Sequence, residues 1–171
     1  VAKVTIVNRT PLHAEKLIVT LRENLLKQRV TTTKTKDSPE FSSVPLHDHN
    51  AVSKVVFVSK IICTTTAATT ALFNGNDIQP GAHINAVGSF QASTTELDMA
   101  TMMKIQQVVV DVKRALTVGE FSQIECTKHS SSLKETARTL GEMLLASANK
   151  EKSAQTTLFK SVGAAVQDIA T

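Results

Sequence analysis

The sequence predicts an α/β fold, a parallel sheet flanked by helices. Two observations carry this. Short apolar, β-branched runs recur at residues 1–7, 61–66, 82–87, 108–110 and 156–162, and stretches with helical spacing lie between several of them. Strands alternating with helices build parallel sheets, because parallel neighbours need a long crossover. The runs also end in hydroxyl, glycine or carboxylate residues, and in such sheets function gathers at the carboxyl ends of strands. At 171 residues the chain is long enough for one ordinary domain with a real core.

Val4, Ile6 and Val7 mark the opening strand, which stops at Asn8-Arg9-Thr10-Pro11. Thr10 followed by Pro11 predicts a helix start, a capping hydroxyl and then proline at the first helical position. Leu12, Leu17, Leu21 and Leu25 continue with helical spacing to about residue 29. Residues 30–36 are Thr-rich and read as a short strand. Residues 37–50 carry two Pro, three Ser and two His and read as a loop, so that 35–50 is expected to be an insertion. A short helix is expected over 51–59, then a strand over 61–66 and a Pro80-Gly81 turn into the strand 82–87. Helical patterning returns at 95–103. Residues 108–110 form an apolar strand ending in Asp111. The clearest late helix spans 132–148, with Leu133, Ala137, Leu140 and Leu144 on one face. A last strand over 156–162 leads into a helix from 163 to 171.

Composition narrows the function. Hydrophobic residues make up 42% and charged residues 20%, the balance of a globular protein. Six Phe, no Trp and no Tyr leave little to stack bases on, and the net charge of +4 is scattered, so no nucleic-acid partner is expected. No run is long and apolar enough for a membrane span, and no signal peptide is visible, so a cytoplasmic location is expected. Cys63 and Cys126 have no CxxC partner and no nearby His at ligand spacing. Each reads as a buried thiol, and no metal site is expected.

Four segments carry chemistry. Arg9, between Asn8 and Thr10 at a strand tip, suits the 2′-phosphate of NADP by its charge and planar fork of donors. On this segment alone the plainer reading, surface charge and a helix cap, is preferred. Thr64-Thr65-Thr66-Ala67 would let a ligand approach the backbone closely. In residues 80–89, His83 and Asn85 face the same way on a strand, and His83 reads as a hydrogen-bonded structural residue before it reads as a base. Ser161-Val162-Gly163 offers backbone N–H groups to an oxygen ligand. No residue is assigned a catalytic role.

Together these segments resemble the ornithine cyclodeaminase/mu-crystallin family. The resemblance rests on the opening strand with Asn-Arg-Thr-Pro, Pro-Gly-Ala-His-Ile-Asn-Ala-Val-Gly at 80–88, Thr-Glu-Leu-Asp at 95–98, Val-Val-Val-Asp at 108–111, Leu-Gly-Glu at 140–142 and Phe-Lys-Ser-Val-Gly at 159–163, in the family's order. It implies a Rossmann-type NAD(P)-binding domain of a dimeric oxidoreductase. The implied reaction is hydride transfer to a cyclic ketimine or an imino or amino acid, with NADP preferred over NAD because of Arg9. By position it implies Asn8, Arg9 and Thr10 at the adenosine ribose, Thr66 and Ala67 at a cofactor-contacting strand end, Val87 beside the nicotinamide and Ser161 near the cofactor. Members that cyclise ornithine carry an Asp two residues after Asn-Ala-Val-Gly. Phe90 stands there, which points away from cyclodeamination. The family's first strand and glycine-rich loop are not in the sequence, so the expectation is a partial domain over 1–171, truncated at both ends. The alternatives are a truncated non-catalytic or small-molecule-binding member, and an ornithine cyclodeaminase forming proline and ammonia.

Overall fold

The structure is a computed structural model that describes residues 2–30, 38–123, 128–145 and 154–163. The chain divides into two compact units, Val1–Val55 and Val56–Thr171.

The first unit contains a strand–helix–strand crossover: β1 (Lys3–Asn8), α1 (Pro11–Val30) and β2 (Glu40–Pro45). The strands run parallel, with Lys3 opposite Glu40 and Asn8 opposite Pro45. Proline opens α1, and the Asn8 side chain accepts the Thr10 N–H at 2.7 Å across the turn. The inward stripe of α1 is Ala14, Ile18, Leu21 and Leu25, whereas Leu12 and Leu17 are exposed. Positions i, i+4, i+7 and i+11 share a face, and 12 and 17 fall off it.

The loop expected across 37–50 is corrected by β2. Its turn-like composition is outweighed by full backbone pairing with β1 and by a 2.9 Å hydrogen bond between the hydroxyls of Thr5 and Ser42. Pro45 sits at the last paired position, where its missing N–H costs the ladder least. Of the strand expected at 30–36, Val30 ends α1 and residues 31–36 lie outside the described residues. Asp48 accepts the Ala51 N–H at 3.0 Å at the start of α2 (His49–Val58), within which the two units divide.

The second unit holds β3 (Ile61–Thr64), β4 (His83–Ala86), α3 (Met99–Lys104), β5 (Gln107–Val110), α4 (Glu120–Gln123), α5 (Lys128–Thr136), β6 (Arg138–Thr139), α6 (Leu140–Leu145) and β7 (Thr157–Lys160). The five strands are parallel in the order β3-β4-β7-β5-β6. Side chains alternate across the sheet. Ile84, Leu158 and Val108 sit side by side on the fully buried face, followed by Ala86, Lys160 and Val110 one step further on. Each buried Ile, Leu or Val contributes roughly 1.5–3 kcal/mol.

Three sequence expectations change here. The helix expected at 95–103 begins only at Met99, because Asp98 caps it by accepting the Thr101 N–H at 2.7 Å. The single helix expected at 132–148 is two: α5 ends at Thr136 and α6 starts at Leu140. Thr139 and Glu142 form a reciprocal cap, Glu142 accepting the Thr139 N–H at 2.6 Å and Thr139 accepting the Glu142 N–H at 3.2 Å. Leu133 and Ala137 are buried, but Leu140 and Leu144 are exposed, so the four do not share one face. Cys63, expected to be buried, is exposed on β3, the end strand of the sheet. Cys126 and residues 164–171 lie outside the described residues. Among the described residues no helix is long and apolar enough to cross a membrane.

Candidate functional site

Parallel strands bring all their carboxyl ends to one rim. The last paired residues of β3, β4, β7 and β5 are Thr64, Ala86, Lys160 and Val110 in adjacent register. The next residues along each strand form the candidate site. Thr66 and Ala67 follow β3, Val87 follows β4, Ser161 follows β7 and Asp111 follows β5. Backbone bonds continue one step past the strands: Val87 N–H to Thr64 O at 3.0 Å, Ser161 N–H to Ala86 O at 3.0 Å and Asp111 N–H to Lys160 O at 3.2 Å. The structure therefore gathers Thr66, Ala67, Val87 and Ser161 on one rim. Thr66 and Ala67 are exposed, and Val87 presents an apolar surface that is 41% exposed. Asn8, Arg9 and Thr10 form a separate group at the exit of β1 in the first unit, where Arg9 and Thr10 are exposed.

Three carboxylates bind the rim together. Glu96, fully buried, accepts the Thr64 hydroxyl at 2.8 Å, the Thr66 hydroxyl at 2.8 Å, the Thr66 N–H and the Gly88 N–H at 2.9 Å. It joins the exit of β3 to that of β4. Asp111 accepts the Ser161 hydroxyl at 2.7 Å and the Val162 and Gly163 N–H groups at 2.9 Å each, joining the exits of β5 and β7. The N–H groups expected to receive an oxygen ligand after Ser161 thus already hold an internal carboxylate. Asp111 also accepts the Val112 N–H at 2.7 Å, so replacing it with Ala strips the acceptor from four donors. We expect a loss of about 1–3 kcal/mol in urea unfolding, and an unchanged midpoint would show that water replaces the carboxylate at no cost.

The third carboxylate, Glu120, lies beneath the rim. One oxygen accepts the Glu96 N–H at 2.8 Å and the Leu97 N–H at 3.3 Å. The other accepts the Ser89 hydroxyl at 2.7 Å and the Lys160 ammonium at 2.8 Å. Lys160 spends its remaining protons on Ser89 O at 2.8 Å and Ser89 Oγ at 2.6 Å. Both charges are completely buried and fully hydrogen-bonded. Burial pushes the Glu120 carboxyl up, but the Lys160 charge and hydrogen bond, the Glu96 N–H and the Ser89 hydroxyl together outweigh it and hold the carboxyl below its usual value. Gly119 makes room for this cluster: it has φ 59°, and a Cβ there would lie 2.7 Å from Ser89 O and 3.0 Å from Lys160 Nζ.

Glu96 and Lys160 lie within the Thr-Glu-Leu-Asp and Phe-Lys-Ser-Val-Gly motifs, but neither they nor Glu120 were given a role from the sequence. Lys160 had a signal: it follows Leu158 by two in a strand, so strand alternation turns it toward the core, where an ammonium needs a carboxylate. Glu96 had only its place in the Thr-Glu-Leu-Asp block and Glu120 had no local signal, because the partners of both are distant in sequence. His83 bonds Thr157 Oγ1 at 2.7 Å and Asn85 Oδ1 at 3.2 Å, which fits the structural role expected of it. Phe90 is 46% exposed just past the rim and has no titratable group. Among the described residues no cluster of three His, Cys, Asp or Glu could hold a metal ion.

The same chain can be compared with known proteins. It is 34% identical over 128 residues to a Delta(1)-pyrroline-2-carboxylate reductase of Bacillus thuringiensis subsp. konkukian, covering 73% of this chain and 39% of the reductase. It is 36% identical over 121 residues to the ketimine reductase mu-crystallin of Macropus fuliginosus, covering 70% of this chain and 35% of that protein. The chain thus spans well under half the length of these curated relatives. Among solved structures, the Delta(1)-pyrroline-2-carboxylate reductase of Thermococcus litoralis, in complex with NADH and L-proline, superimposes with a TM-score of 0.72. Its identity is 24%, over 98% of this chain and 47% of that one. This likeness supports the Rossmann-type reading of the parallel, helix-flanked sheet. The family model for the ornithine cyclodeaminase/mu-crystallin family matches residues 1–171, the full extent of the strands and the rim just described, and the chain belongs to that family.

Proposed function

We propose that this chain serves an NAD(P)H-dependent reduction of a small cyclic ketimine, or of a related imino or amino acid, as part of a nicotinamide-binding domain. The observation that carries the reading is the identity of about one third to pyrroline-2-carboxylate and ketimine reductases, joined to a rim of strand ends with small exposed residues. The cofactor, when bound, supplies the hydride. The chain's own residues orient it. Thr66 and Ala67 offer a low surface for close approach, and Val87 offers an apolar patch that suits one face of a flat ring. Ser161 fits in a narrower way than its sequence suggests. Its hydroxyl proton goes to Asp111, so its oxygen contributes as an acceptor or through its backbone.

At the exit of β1 the Asn8 side chain accepts the Thr10 N–H, and the exposure of Arg9 between them supports a role for its guanidinium at the 2′-phosphate of NADP. Phe90 supplies no proton, which stands against ornithine cyclodeamination. A homodimer, a cytoplasmic location and a small-molecule partner rather than a nucleic acid complete the reading.

Arg9→Ala tests the cofactor preference. Losing charge-assisted bonds to a phosphate costs about 1.5–3 kcal/mol, so NADPH binding should weaken by roughly ten- to a hundredfold while NADH binding holds. Calorimetric titration of both cofactors checks this. Equal losses for NADPH and NADH would reject the 2′-phosphate role, and no heat from either cofactor with the unaltered chain would reject the function.

A further inference from the structure

The geometry points to Glu96 as a positioning residue that sets the two strand exits presenting Ala67 and Val87 to the cofactor, through Thr66 and Gly88, without touching the cofactor itself. This rests on the cofactor reading proposed above.

Glu96 is fully buried, yet its carboxylate makes no ion pair among the described residues. Its four donors come instead from the exits of two neighbouring strands. One oxygen takes the Thr66 N–H and hydroxyl, and the other takes the Thr64 hydroxyl and the Gly88 N–H. Two of these donors are main-chain groups immediately next to exposed positions: Ala67 follows Thr66, and Val87 precedes Gly88. The carboxylate therefore fixes the backbone that presents Ala67 and Val87.

Glu96 is itself held. Its own N–H goes to Glu120, and Glu120 is anchored by Lys160 on β7. A continuous hydrogen-bonded path runs from β7 through Glu120 and Glu96 to the ends of β3 and β4. Gly88 is part of the arrangement, because a Cβ there would overlap the Thr66 carbonyl oxygen and the Glu96 carboxylate.

The chemistry of the site demands a carboxylate. An amide of the same shape has one accepting and one donating end. Either orientation of a glutamine would turn its NH2 toward the Thr66 N–H or the Gly88 N–H, two donors facing each other. Glu96→Gln thus changes little volume but breaks one of the two exits.

The test combines amide hydrogen exchange with NADH titration on the full chain. In Glu96→Gln, exchange at Thr66 and Gly88 should accelerate about tenfold or more, while Ile84 and Val108 in the sheet centre keep their protection. The NADH dissociation constant should rise by about tenfold. Uniform loss of protection across the sheet would overturn the proposal, since it would make Glu96 only a stabilising residue. Local loss with an unchanged NADH affinity would overturn it as well. If the unaltered chain binds neither NADH nor NADPH, the cofactor reading itself has failed, an outcome distinct from equal binding by wild type and variant. Should Glu96→Gln fail to fold, Thr64→Val removes one donor and no charge. It should raise exchange at Gly88, which shares an oxygen with Thr64, more than at Thr66. Equal exchange at both sites would overturn the proposal.

Discussion

Lys160→Ala should lower stability by about 3–5 kcal/mol, because it leaves the Glu120 carboxylate buried without its cation. For a chain of this size that corresponds to a fall of roughly 6–20 °C in Tm. It is a large share of a total stability of about 5–15 kcal/mol. The size of the effect comes from the uncompensated charge more than from the lost contact. The double variant Lys160→Met with Glu120→Gln should therefore be more stable than Lys160→Met alone. In the double variant the glutamine oxygen still accepts the Glu96 and Leu97 N–H groups, and its amide can donate to Ser89. Urea unfolding of the two variants decides, and equal midpoints would show that the charge is not the reason.

The pH dependence follows from the same group. The Glu120 carboxyl is held below its ordinary value of 4.5 in the folded chain. The folded state therefore keeps this carboxyl ionised where the unfolded state would protonate it. Its contribution is complete above the ordinary value and is lost as pH falls through the lowered folded value. The stability difference between wild type and Glu120→Gln should accordingly shrink as pH drops from about 6 toward 3. A difference that stays constant over that range would contradict the assignment.

Gly88→Ala should be comparably damaging for a steric reason. A methyl at Gly88 would overlap the Thr66 carbonyl oxygen, the Thr66 nitrogen and a Glu96 oxygen. Two of these are main chain and the third is a carboxylate locked by four donors, so no flexible side chain is available to move aside. Overpacking of this kind costs about 1–3 kcal/mol, and more where backbone must shift. We expect about 3 kcal/mol or more in thermal or urea unfolding. A cost below about 1 kcal/mol would show that the exit of β3 yields easily.

Much of the fold was legible because it depends on local pattern. The opening strand, the Pro11 helix start, the Pro80-Gly81 turn and the strands around Ile84, Val108 and Leu158 declare themselves through alternation and turn chemistry. Three of the misreadings involve a partner distant in sequence. The strand Glu40–Pro45 looks like a loop until β1 pairs with it. Residues 95–97 look helical until the Glu96 and Leu97 N–H groups find Glu120 and the Thr95 N–H finds Ala68 O. The helical pattern of 132–148 looks continuous until Arg138 and Thr139 pair with β5 and the Thr139–Glu142 cap restarts the helix.

The sequence by itself determined the α/β class, the strand ends that carry Thr66, Ala67, Val87 and Ser161, and the family resemblance that the family model supports. Strand period, turn residues and ordered motifs are properties of neighbours along the chain, so they can be read without coordinates. Only the tertiary structure decided that three carboxylates tie those strand ends together, and that Ser161 is already engaged by Asp111. A buried carboxylate is stable only where donors converge on it. Glu96, Glu120 and Lys160 meet theirs from segments many residues apart, and folding alone brings those segments together.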